Sequence, residues 1–145
     1  MYSIIKDMKL FDVHLSCYMV EIYKGELRDL LLNQSVADRP KLEVRFDREN
    51  SMVVIKNVKV LEINDQDQCN QVFEKGLKGR KTRKTNMNDE SSRSHLIFAI
   101  LIESTNRLTG KKQIGKLSFI DLAGSESSKK TGTDKEGQAE ANAIN

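Results

Sequence analysis

The chain has 145 residues and a mass of 16.5 kDa, the size of one domain, and its 38% hydrophobic content is enough for a core. Charged residues make up 31% but balance to +3, so net charge gives no support to polyanion binding, and any basic surface must be a local cluster. No stretch approaches the roughly 18 apolar residues of a membrane span, no signal-peptide order is present, and Cys17 and Cys69 lack a Cys-x-x-Cys partner, which together predict buried reduced thiols and a cytosolic setting.

In chain order, residues 13–23 alternate β-branched, aromatic and polar types and predict a strand, which Gly25 ends before a short apolar strand or helix over 27–32. Residues 33–40, with the single proline, predict a surface loop. Residues 42–46 alternate as a strand, 47–51 turn, and 52–60 return, which makes an antiparallel excursion. Asn64 or Asp65 is a candidate N-cap for a helix over 65–78, with Cys69, Val72, Phe73, Gly76 and Leu77 on one face. The basic residues Lys78, Arg80, Lys81, Arg83 and Lys84 near its end suit the helix dipole, which is sufficient reason for several of them.

Residues 96–102 are seven consecutive apolar residues and predict a central strand buried on both faces. A polar turn over 103–112, containing Gly110, leads into a strand over 114–120 that delivers Asp121 at its carboxyl end, where ligands of open α/β sheets sit. Beyond Glu126 a Ser, Lys, Thr and Gly-rich loop precedes helix-like residues 139–144.

Two segments carry chemistry. Residues 85–95 crowd the hydroxyls of Thr85, Ser91, Ser92 and Ser94, the amides of Asn86 and Asn88, and Arg93 between a helix and a buried strand. Hydroxyls in such a loop can serve Mg²⁺ and a γ-phosphate, although Ser-Ser-x-Ser alone is more often the text of a capping turn. Asp121 with Gly124 offers a carboxylate and a backbone N–H, although Asp-x-x-Gly alone is a common turn. His95, at a loop-to-strand junction, reads as a packing and hydrogen-bonding residue.

The texts Thr85-Asn86-Met87-Asn88-Asp89-Glu90-Ser91-Ser92-Arg93-Ser94-His95 and Leu117-Ser118-Phe119-Ile120-Asp121-Leu122-Ala123-Gly124-Ser125-Glu126 resemble switch I and switch II of kinesin motors, in the right order. Val20-Glu21-Ile22-Tyr23 through Asp29-Leu30-Leu31 resembles the same family, as do Glu140-Ala141 and Ile144-Asn145, so the resemblance spans nearly the whole chain. It implies an α/β, partial P-loop NTPase-like motor fold with a central mixed sheet flanked by helices. It also implies ATP and Mg²⁺ as cofactors, microtubules as partner, and a place in the cytoplasm on the microtubule cytoskeleton. By match, Ser92 would give its hydroxyl to Mg²⁺, Ser91 would position the attacking water, and Asn88 would line the phosphate pocket. Asp121 would hold a Mg²⁺-bound water, Gly124 would report the γ-phosphate through its N–H, Arg93 would pair with Glu126 as a latch, and Lys129 and Lys130 would face tubulin.

The fit is partial. A P-loop needs Gly-x-x-x-x-Gly-Lys-Ser/Thr, whereas Gly110-Lys111 precedes Lys112 and Gly115-Lys116 precedes Leu117. Residues 1–145 are therefore expected to be the central and C-terminal part of a motor domain, without the P-loop lobe and the distal microtubule-binding helices. Ser127 stands where many kinesins place a basic residue. Residues 16–21, 87–97 and 102–106 are most similar to C-terminal-motor kinesins that bind calmodulin, which would imply calmodulin contact through other regions and minus-end movement. The missing P-loop also keeps open a non-catalytic, microtubule-associated remnant. A GTPase-like switch protein lacks its Asn-Lys-x-Asp segment here.

Overall fold

The computed structural model describes residues 5, 8–32, 40–81 and 94–123. Strand β1 (Phe11–Tyr23) is the spine: on one edge it pairs along its whole length with β6 (Ser94–Asn106), and on the other it pairs with β2 (Glu26–Asp29) and β5 (Leu61–Glu62). β7 (Lys112–Asp121) pairs with the outer edge of β6, giving the order β2-β1-β6-β7, and every ladder among the described residues is antiparallel. β3 (Glu43–Asp47) and β4 (Met52–Lys56) form a separate two-stranded hairpin, the excursion expected from residues 42–60.

The β1–β2 connection is two residues, Lys24 at φ 51° and Gly25 at φ 76°. Two successive positive φ values match the right-handed twist of a hairpin, and Gly carries the second without strain. Asp29 then closes β2: its carboxylate, buried, accepts the N–H of Leu31 at 2.8 Å and of Lys59 at 2.6 Å.

Helix α1 (Gln66–Lys81) begins where Asp65 Oδ1 accepts the Gln68 N–H at 2.7 Å, while Gln68 Oε1 accepts the Asn64 N–H at 3.0 Å. Both interactions satisfy backbone donors that the first turn leaves open. The helix runs three residues past the expected end at 78, and that extra turn carries Arg80.

β6 also runs past its expected limits of 96–102 at both ends, because β1 and β7 supply ladder partners to its termini. It is two-faced as expected. Leu96, Phe98 and Ile100 join Leu15, Cys17, Met19, Leu30 and Leu31 under α1, which contributes Cys69, Val72, Phe73 and Leu77. On the opposite face Tyr18, Val20 and Ala99 pack with Ile97, Leu101, Leu42, Ile55 and Val58. Phe98 links layers, with Phe73 edge-on at 5.3 Å and Phe119 stacked at 6.4 Å.

Cys17 and Cys69 are both free thiols. Burial, with a smaller contribution from neighbouring Cys69, pushes the Cys17 thiol up to about 11, which keeps it protonated and unreactive. The loop over 33–39 and the helix-like residues 139–144 lie outside the described residues.

Candidate functional site at the strand ends

β1, β6 and β7 align Glu21, Leu96 and Asp121 as one cross-strand row. Directly paired residues point to the same face, and Ser94, two before Leu96, shares it. This is also the face that α1 covers. The last turn of α1 therefore arrives over two carboxylates and a hydroxyl at one end of the sheet.

Arg80 connects them. Its Nη1 donates to Asp121 Oδ2 at 3.1 Å, its Nη2 donates to Ser94 O at 3.1 Å and to Ser94 Oγ at 3.2 Å, and its Nε lies 3.4 Å from Glu21 Oε1. Ser94 Oγ donates to Glu21 Oε1 at 2.7 Å, closing the network. The Arg80 and Glu21 side chains are only 13% and 6% exposed, while Asp121 is 67% exposed. A planar guanidinium suits such a junction, because its fixed fork can reach several acceptors at once. A second tie joins the same strand ends: the Ala123 N–H donates to His95 Nδ1 at 3.0 Å, which places the ring proton on Nε2. His95 is thus the hydrogen-bonding junction residue expected of it.

The junction brackets residues 82–93. Arg80 stands just before that segment and Ser94 just after it, so the contact between them joins its two ends. Asp121, at the carboxyl end of β7, is the one sequence-predicted site residue that the structure describes, and it is brought into this junction. Asn88, Ser91, Ser92, Arg93, Gly124, Glu126, Lys129 and Lys130 lie outside the described residues, and with them the Arg93–Glu126 latch.

Three junction residues were not singled out by sequence reasoning for this role. Arg80 reads in the sequence as one of several cations at a helix end, and Ser94 as one of several loop hydroxyls. Glu21 leaves the clearest trace, as the only acidic residue within the run 15–23.

The carboxylate of Asp121 is also a test of Mg²⁺ chemistry. Among the described residues no group of three His, Cys, Asp or Glu could hold a metal ion. A single exposed carboxylate suits Mg²⁺ all the same, since that ion keeps several waters and takes few protein ligands beside phosphate oxygens.

The kinesin motor domain family, as a sequence pattern, matches residues 1–145. Kinesin-like protein KIN-14E of Arabidopsis thaliana is 44% identical over 100% of this chain, which covers 11% of that protein. Among solved structures, a fast kinesin described for its ATPase mechanism and interactions with microtubules superposes with a TM-score of 0.81 at 33% identity, covering 99% of this chain and 39% of the other. The C-terminal motor and motor homology domain of Kar3Vik1, fused to a synthetic heterodimeric coiled coil, gives a TM-score of 0.80 at 29% identity over 99% of this chain and 36% of the other. The chain thus spans about a tenth of the length of its curated relative and over a third of each solved motor chain. With the family pattern matched end to end and the fold reproduced, this chain belongs to the kinesin motor domain family.

Proposed function

We propose that this chain is the switch-bearing part of a microtubule-based motor that couples ATP hydrolysis to movement, and that other segments supply the P-loop lobe and the distal microtubule-binding helices. The observation that carries this reading is the junction of Arg80, Glu21, Ser94 and Asp121, which ties both ends of segment 82–93 to the strand that enters the Asp-x-x-Gly turn. Bound MgATP supplies the γ-phosphoryl group and a cation that neutralises its charge.

The chain's own residues do the rest. Ser91 and Asn88 would orient water and phosphate, and Ser92 and Asp121 are the residues that would hold Mg²⁺, Ser92 through its hydroxyl and Asp121 through a water. Gly124 donates its N–H toward the γ-phosphate. Arg93 and Glu126 close as an ion pair when both loops are seated, giving two arrangements that differ by contacts to the γ-phosphate. Lys129 and Lys130 face tubulin, whose microtubules are the partner, and the protein works in the cytoplasm on the microtubule cytoskeleton. Similarity to KIN-14E and Kar3-type motors supports a C-terminal-motor type, with calmodulin contact assigned to regions outside this chain.

The latch is tested in a motor completed with a P-loop lobe. Arg93→Ala or Glu126→Ala slows ATP turnover by about 10²-fold or more while ATP binding is retained. Turnover close to the parent's would remove the latch from the mechanism, and a non-catalytic, microtubule-associated role would follow if the completed parent also failed to hydrolyse ATP.

A further inference from the structure

The end of the sheet opposite the switch junction carries a feature that nucleotide turnover does not use. β6 and β7 are joined by the turn Arg107–Gly110, and every residue from Arg107 to Ile114 is exposed, including Leu108 at 78%. The turn is built by Asn106, whose Oδ1 accepts the N–H of Leu108 at 2.9 Å and of Thr109 at 3.1 Å, and by Gly110 at φ 67°. Thr109 sits at its tip. Its Oγ1 accepts the Lys111 N–H at 3.3 Å. Arg107 precedes it by two residues, and Lys111 and Lys112 follow at two and three. The nearest acid in contact with the turn is Asp12, whose Oδ1 lies 3.8 Å from Arg107 Nη2.

Other hydroxyls among the described residues lack this combination. Ser104 and Thr105 are half-buried within β6, Ser118 is exposed but sits inside the β6–β7 ladder, and exposed Ser51 follows Glu49.

We infer that Thr109 is a phosphorylation site for a Ser/Thr protein kinase with an acidic, cation-reading substrate groove. Arg107, Lys111 and Lys112 provide charge complementarity with such a groove. The tip has no buried side chain to release, so it opens locally at low cost to enter one. In the transfer, Thr109 Oγ1 attacks the γ-phosphorus of the kinase's ATP, and the new O–P bond forms as the bond to the β–γ bridging oxygen breaks. ADP leaves, and the hydroxyl proton passes to the kinase's carboxylate base.

The product is held by the same surroundings. Phosphoryl oxygens replace Oγ1 as acceptors for the Lys111 N–H and pair with Lys111, Lys112 and Arg107, drawing Arg107 from Asp12. The three cations of the tip are offset by about two negative charges. Ten residues of β7 place the tip roughly 30 Å from Asp121, so this site is independent of the proposed ATP chemistry.

The test treats the full-length protein with MgATP and a purified arginine-directed Ser/Thr kinase, then sizes and fragments the product. Expected is a gain of about 80 Da, one phosphate, located on Thr109. Thr109→Ser keeps incorporation at that position, Thr109→Ala abolishes it there, and Arg107→Ala slows it at least about tenfold with an unchanged melting temperature. A 107–112 peptide free of phosphate, or equal rates for Arg107→Ala and the parent, would overturn the assignment.

Discussion

Arg80 is the residue on which the ends of β1, β6 and β7 converge. It is nearly buried beside the carboxylate of Glu21, which is buried too, and its remaining donors reach Ser94 and Asp121. Removing one partner of a buried pair leaves the other charge desolvated and uncompensated, a loss of about 3–5 kcal/mol. The contact to Asp121 contributes far less, because that carboxylate is mostly in water. Arg80→Ala is therefore expected to cost about 3–5 kcal/mol in denaturant unfolding of the completed motor, through Glu21. Double replacement with Glu21→Gln should recover part of that loss, because the stranded charge is then gone. A loss below about 1 kcal/mol for Arg80→Ala would show that the guanidinium is solvated and the junction weak.

At the scale of elements, α1 delivers Arg80 only because it lies close against the sheet edge. A Cβ on Gly79 would stand 2.8 Å from the Leu30 carbonyl oxygen, and that atom belongs to backbone that is itself pinned by the Leu30 N–H to Met19 O bond of 3.0 Å. Gly79→Ala should thus lift the last turn of the helix and move Arg80 off its acceptors. The expected cost is about 1–3 kcal/mol, with Arg80→Ala adding less in this background than in the parent, a non-additivity that a double-mutant cycle reads. Full additivity would mean that the helix end and the junction are independent.

Much of this architecture was legible in sequence because its signals are local. The alternation over 13–23, the apolar run over 96–102, the Asp65 cap and the turn around Gly110 each depend on near neighbours, and each element appears where expected. Element ends were less legible. β6 and α1 lengthen because of partners far along the chain, the β1 and β7 ladders for one and the Arg80 acceptors for the other. The junction was illegible for the same reason: Arg80 and Asp121 are 41 residues apart, and Ser94 and Glu21 are 73 apart. Asp121 was found because the Asp-x-x-Gly text is itself local.

For the whole molecule, the described sheet ends in β7, whose second edge takes no strand among the described residues and whose Phe119 and Ile120 are exposed, as is Leu122 just beyond it. An open edge with apolar flanks is a template for further strands. That accords with a chain covering 36–39% of the motor structures it superposes on.

The most direct measurement is microtubule-stimulated ATP turnover by the completed motor carrying Asp121→Asn, beside its parent. Asparagine keeps the size of the side chain but removes the charge proposed to hold a Mg²⁺-bound water, so turnover is expected to fall by about 10²-fold or more, with the protein still folded. Turnover within about twofold of the parent's, with microtubule stimulation intact, would contradict the placement of the nucleotide switch at these strand ends.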